Sequence, residues 1–544
     1  MSFSESQIKV QDIYHLGIVA EIIDETSLVD LFNQLLGTHP QEIISAGQVI
    51  KAIIINGLGF ISAPLYLFEN FFEGIPTQHL LGEGIQPEHL NDEPLGRVLD
   101  KLYDAGLTEI FIRVALSGAD RFGMKMDSFH LDSSSFHVHG DYGTGTDDEP
   151  SAQSGLITIT YGYSRDHRPD LKQFILDLMW SGDGDIPLYL RVAHGNEVDS
   201  AMFGTLMAHF HKQWQIDALF VADAALYTED NLQMIVSFRW VSRVTGTLTA
   251  AKKLLEKNSI DAFVPGKIPE YRIAPCCNDS GGVRQGWLVI ESEARKESDL
   301  KQPEKRLSKK YTQAQSQLLK LCQQEFACGE DAFNPAKLLE SQLPFHQLAN
   351  IEVIEDGQHR ESGRPRKDSQ STLISHIQAE IVPKETPITI ATEEGGRFLI
   401  ATNLLDTDKL SNEDVLPEYK AQQSTERGFR FLKEPLFFTS TVFLNSRKRV
   451  AALAMVMGLC LLVYTQAHRA LRQSLKRGSQ TIQNQLGKPT ATPTLRWVFQ
   501  CFISIHLLTF ASLKRNRFPT SVRSGAGFYS FLVLPVVNII FFAN

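Results

Sequence analysis

Between Ser128 and Val244 the chain is cut into short, β-rich apolar runs whose order few folds accept. Three come in succession, Ser128–Val138 (SFHLDSSSFHV), Leu156–Tyr163 (LITITYGY) and Phe174–Met179 (FILDLM), separated by the turn-rich segments DYGTGTDDEPSAQSG and YSRDHRPD. A helical stretch near Ser200–Trp214 follows, then the buried strand Ala218–Ala222, a helix over Thr228–Val236 and the strand Arg239–Val244.

Strand, strand, strand, helix, strand, helix, strand is the order expected of a ribonuclease-H-like α/β core. At 544 residues the chain has room for three or four units at roughly 150 residues each. Residues 1–120 read as an all-helical N-terminal domain, with Ile18, Ile22, Leu28, Leu31 and Leu35 at helical spacing. Asn91 starts a helix over LGRVLDKLYDAG that Gly106 closes. Residues 121–245 form the first part of the core, and 246–395 a large mixed α+β insertion. Residues 396–480 form its second part, where the strand FLIATNL leads into the helix carrying Glu426. Residues 481–544 are a C-terminal helical region and apolar tail.

An apolar fraction of 43% and a charged fraction of 21% are those of a soluble globular protein. The net charge of −10 argues against a nucleic-acid partner until local charge is considered. Arg427, Arg430, Lys433, Arg447, Lys448, Arg449, Arg469, Arg472, Lys476 and Arg477 face one acid, Glu434, within a single stretch. The cysteines show neither disulfide nor metal spacing, and the N-terminus lacks a signal peptide, so a reduced, cytoplasmic protein is expected. The apolar run Val450–Tyr464 is short of the roughly 20 residues that span a bilayer and reads as a core helix. Gly525–Asn544 approaches spanning length, but it contains Pro535 and has no cation behind it, so it reads as an atypical tail and no membrane partner is expected.

Asp132 follows Phe129 and Leu131 and is expected at the end of the first strand; Asp223 ends the fourth. Functional groups of open α/β sheets gather beyond the carboxyl ends of the strands, so these two carboxylates can share one mouth. Further along, YKAQQSTERGFRFLK puts Glu426 four residues after Gln422 and seven before Lys433, on one helix face at 3.6 residues per turn. A carboxylate for metal and a cation for phosphate then point at one substrate.

This segment resembles the Tyr-x2-Arg-x3-Glu-x6-Lys signature of DDE transposases from bacterial insertion sequences, with Gln422 at the Arg position. Asp132 and Asp223 fall where that family places its two aspartates. The resemblance implies metal-dependent strand cleavage and strand transfer at terminal inverted repeats, with Asp132, Asp223 and Glu426 as ligands of two Mg²⁺ or Mn²⁺ ions. Hard oxygen ligands suit such ions, and two of them together stabilise an in-line phosphoryl displacement. It further implies that Lys433 contacts phosphate, that Tyr419 positions DNA, that double-stranded DNA (element ends and target) is the partner, and that the chain acts as a homodimer at the nucleoid. Gln422 is neutral where a guanidinium would grip phosphate. Arg427 or Arg430 is expected to compensate, and the rival reading is a catalytically decayed DNA-binding derivative.

Weaker features complete the reading. Gly363-Arg364-Pro365-Arg366-Lys367 has the form of a minor-groove arm but reads better as a solvated loop. His137 and His139 suit a structural or solvent-facing role better than a metal site, and Trp287 suits a core better than a base-stacking position.

Overall fold

The computed structural model describes residues 8–140, 142, 156–257, 263–292, 310–326, 329–343, 346–358, 372–384, 396–434, 444, 446–510 and 515–517. It is a mixed α/β protein. Its contacts divide it into two compact units, residues 1–242, 280–283 and 418–544 in one and 243–279 and 284–417 in the other.

The first unit opens on strand β1 (Ile8–Asp12), antiparallel to His506–Phe510 near the other end of the chain. An all-helical domain is expected over residues 1–120; the alternation in IKVQD and a partner strand distant in sequence make its start a strand instead. From Leu16 to Arg121 the chain is helical. Ser45 and Gln48 form a capping box on helix Ala46–Gly57, and Asn91 accepts a hydrogen bond from the Glu93 amide at the start of Asp92–Asp104. Gly106 ends that segment at φ 90°, a backbone state that favours glycine.

The sheet of this unit runs β4-β3-β2-β5-β6: β2 is Ser128–Val138, β3 Lys172–Ser181, β4 Pro187–Ala193, β5 Leu219–Ala222 and β6 Arg239–Arg243. The first three are antiparallel neighbours, whereas β5 and β6 run parallel to β2. The expected order of elements is therefore present, with one exchange. Leu156–Tyr163 contributes only an isolated bridge, Thr160 with Gln173, and the third strand is β4. Pro187 at its first position and the short GDGD turn before it hid β4, although a proline is tolerated where a strand begins.

Helix Arg447–Arg477 fills the core. By length and composition it could cross a membrane, yet 89% of its most apolar window is buried inside the protein. Gly458 is what lets it approach β4, since a Cβ there would stand 2.2 Å from the Leu190 side chain.

In the second unit, β7 (Val264–Pro265), β8 (Tyr271–Ser280), β9 (Val283–Ser292) and β12 (Arg397–Thr402) form a sheet in the order β12-β9-β8-β7. The long hairpin of β10 (His346–Gln358) and β11 (Thr372–Pro383) closes its own small core, Leu348 and Ile377 with Ala314, Leu318, Leu321, Ala336 and Leu339. Gly363–Lys367 and Gly525–Asn544 lie outside the described residues.

Candidate functional site

β2 and β5 are in parallel register from Ser128 opposite Leu219 to Leu131 opposite Ala222, so the next residues on each, Asp132 and Asp223, come side by side. Asp132 is not at its strand's end: β2 continues to Val138 because β3 pairs with it over its whole length, while β5 stops. The parallel ladder ends there, at the two aspartates.

The Asp132 carboxylate is held from several sides. The Ser133 amide donates to Oδ1 at 2.8 Å, and the Thr425 hydroxyl lies 3.1 Å from Oδ2. Arg165 stands 3.6 Å from Oδ1. Burial, with the negative charge of Asp223 added, pushes the Asp132 carboxyl up to about 6, against the opposing pull of Arg165 and the two hydrogen bonds. Asp223 caps its own turn, Oδ1 accepting from the Ala225 amide at 2.9 Å, and the Ser242 hydroxyl donates to its carbonyl at 2.8 Å.

The segment expected as one helix from Tyr419 to Lys433 is two, Asn412–Ala421 and Gln423–Leu432, broken at Gln422. Tyr419 belongs to the first of them, half-buried, and Glu426 to the second. Thr425, Gly428 and Phe429 press the second helix on the sheet face that carries His130, Asp132, Phe136 and Trp180. Phe429 meets Trp180 edge-on at 5.0 Å. A Cβ on Gly428 would come 3.1 Å from the same indole. Gly428→Ala is therefore expected to lift this helix by a few tenths of an ångström, destabilising the fold by about 1 kcal/mol and slowing any reaction that uses Glu426. A thermal midpoint equal to that of the wild type would show that the ring yields freely.

Gln422 is buried, its amide donating to the Leu131 carbonyl at 3.4 Å, so its side chain faces β2 rather than solvent. Glu426 is exposed, one residue from the threonine that touches Asp132. Among the described residues no group of three or more His, Cys, Asp or Glu side chains stands close enough to hold a metal ion. The structure thus joins Asp132 to Asp223 and leaves Glu426 on the adjoining helix. As a donor set, two crowded carboxylates whose local counter-charge is Arg165 suit a hard divalent cation.

Lys433 caps the helix and pairs with Asp166 at 2.7 Å over the Phe136 ring. Arg427 pairs with Asp185 at 2.7 Å, and Arg430 is exposed. The basic stretch as a whole differs from its appearance in sequence. Lys448, Arg449 and Arg469 are ion-paired to Asp104, Asp100 and Asp183, and Arg472 donates to the Pro493 and Thr492 carbonyls. Much of its charge is matched by acids from distant parts of the chain.

Residues that spacing could not single out complete the site. Arg165, Asp166 and Asp199 come from a loop and a helix start. The one sequence signal is the charged run Arg165-Asp166-His167-Arg168, which reads as a turn. His137 is structural, bonded to Ser164 Oγ at 2.9 Å and near Asp166, and His139 is exposed. Trp287 is fully buried in the second unit, its indole donating to Gln285 Oε1 at 3.0 Å, which places it in the core and out of reach of a base.

Residues 8–116 match the family described as Domain of unknown function (DUF4277). No curated protein aligns with the chain. Among solved structures it is similar to the piggyBac transposase in a cryo-EM structure of its synaptic complex with hairpin DNA, at 8% identity and a TM-score of 0.37, covering 92% of this chain and 83% of that one. At those values the likeness establishes neither fold nor chemistry, and the site stands on its own geometry.

Proposed function

We propose that this chain is a DNA transposase of the DDE type: a metal-dependent enzyme that cuts strands at the ends of its element and joins them to new sites, on a ribonuclease-H-like core. The observation that supports it is the meeting of Asp132 and Asp223 where the parallel ladder ends, beneath the helix that carries Glu426 and Lys433. The strand order β4-β3-β2-β5-β6, three antiparallel and two parallel, is the framework such a core uses.

In this reading Asp132 and Asp223 would hold Mg²⁺ or Mn²⁺, two ions per site, with Glu426 of the adjoining helix completing the set when substrate binds. Metal so held would supply Lewis-acid stabilisation of the charge that develops in an in-line displacement at phosphorus. The chain's own residues do the rest. The Ser133 amide and Thr425 hydroxyl orient the Asp132 carboxylate before any ligand arrives. Lys433 holds a phosphate oxygen once it leaves Asp166, Arg427 and Arg430 carry the flanking backbone, and Tyr419 lies along the DNA path. Gln422, buried against Leu131, serves the packing of the helix, so its neutrality takes no cation away from a substrate.

The test is a supercoiled plasmid carrying this gene with its flanking DNA, incubated with the full chain and Mg²⁺ or Mn²⁺. Nicking or excision is expected, reduced about a hundredfold in Glu426→Gln. DNA binding without cleavage by the wild type would replace this reading with that of a binding-only derivative, in a homodimer or otherwise.

A further inference from the structure

Among the described residues Arg165 is the cation paired with Asp132, and it is tethered. Its guanidinium is hydrogen-bonded to Asp199, the first residue of helix Asp199–Trp214, and lies 3.6 Å from Asp132 Oδ1. Its own backbone amide donates to Ser135 Oγ at 3.3 Å, which docks the loop on β2 beside the site. The neighbouring residue, Asp166, takes Lys433 at 2.7 Å. Two consecutive residues of one loop therefore place a positive charge against the carboxylate expected to hold metal and a negative charge against the lysine expected to hold phosphate. Both contacts remain reachable from solvent, since Arg165 keeps 31% of its side-chain exposure and Asp166 45%.

A guanidinium and a divalent cation cannot both neutralise Asp132 at close range, because like charges in a half-buried site repel strongly. When metal takes Asp132, Arg165 loses that partner but keeps Asp199, and it is left beside the reacting centre with its remaining N–H groups unengaged by Asp132. A planar, always-charged fork so held is suited to a phosphodiester oxygen.

We propose that Arg165 is a phosphate-binding residue of this site, kept on Asp132 in the DNA-free chain and transferred to the DNA backbone when metal and substrate arrive. Lys433, released from Asp166, moves to the backbone in the same way. The proposal rests on the metal-dependent reading of Asp132 given above.

Because Arg165 both opposes metal and favours phosphate, its removal must shift the two bindings in opposite directions, whereas a merely structural role would weaken both. The full chain without DNA is titrated with Mn²⁺ by calorimetry, and the chain saturated with Mn²⁺ is then titrated with a labelled random-sequence duplex over a range of salt. Arg165→Gln is expected to bind Mn²⁺ about tenfold tighter while its affinity for the duplex falls and the salt slope drops by about one ionic contact. Arg165→Lys keeps the charge but not the planar fork, and is expected to retain the wild-type Mn²⁺ affinity and salt slope with a duplex affinity between those of the wild type and Arg165→Gln, which shows that the position tolerates substitution. Mn²⁺ affinity that does not rise in Arg165→Gln, or a salt slope that does not change, overturns the proposal. Asp132→Asn separates the two levels: if it binds Mn²⁺ as tightly as the wild type, the metal reading of Asp132 itself fails, independently of Arg165.

Discussion

Asp132→Asn is expected to lower metal-dependent DNA cleavage by at least about a thousandfold and, at the same time, to make the folded chain more stable at neutral pH. The first effect follows from removing one of the two carboxylates that meet where β5 ends. The second follows from the position of the carboxyl's titration, about 6 in the folded chain against about 3.9 when unfolded. Between those values the folded state binds the proton more tightly, so stability falls as pH rises through this window and stays lower above it. The shift corresponds to about 2 to 3 kcal/mol at neutral pH. Asparagine carries no charge and keeps an oxygen for the Ser133 amide. Denaturant unfolding at pH 7.5 should therefore favour Asp132→Asn, with the advantage vanishing towards pH 4. A variant less stable than the wild type at pH 7.5 would mean that Arg165 and the hydrogen bonds outweigh the burial of the charge. Asp223→Asn should match the loss of cleavage.

Trp180→Ala is expected to destabilise the fold by about 3 to 5 kcal/mol and to take most cleavage with it. Trp180 is fully buried on β3, and it supports Phe429 and Gly428 of the helix on which Thr425 and Glu426 sit. Removing it leaves a cavity under the helix that must also place a carboxylate. Among the described residues the indole nitrogen has no hydrogen-bond partner, so Trp180→Phe forfeits volume alone and should lose less than about 1.5 kcal/mol. Guanidinium unfolding of both variants, together with the plasmid assay, checks the pair. Equal losses in Ala and Phe would assign the effect to an interaction of the indole nitrogen instead of to packing.

Element order between Ser128 and Val244 was legible because β2, β5 and β6 are short, β-rich runs bounded by turn residues, and the helices between them are longer. β4 was missed for a local reason, a proline at its start, and Leu156–Tyr163 was misread because alternation records propensity and not the presence of a partner strand. Asp132 and Asp223 could be picked out from their place after apolar strand residues. Their adjacency is a matter of register, which no single segment encodes. Arg165, Asp166 and Asp199 were invisible as site residues, since each is an ordinary turn or helix-start residue until the chain folds.

The basic stretch marks the same boundary. Its composition suggested a surface for phosphate, yet Arg427, Lys433, Lys448, Arg449 and Arg469 are matched by Asp185, Asp166, Asp104, Asp100 and Asp183. Sequence by itself indicated the helices and most strands between Ser128 and Val244, while β1, β4 and the break at Gln422 depended on partners distant in sequence or on local detail that period does not record. It also put two aspartates and a glutamate on the elements that could use them. Only the tertiary structure decided which charges meet, because Coulomb interaction depends on distance in space, and residues 293 apart in sequence, Asp132 and Thr425, are in contact.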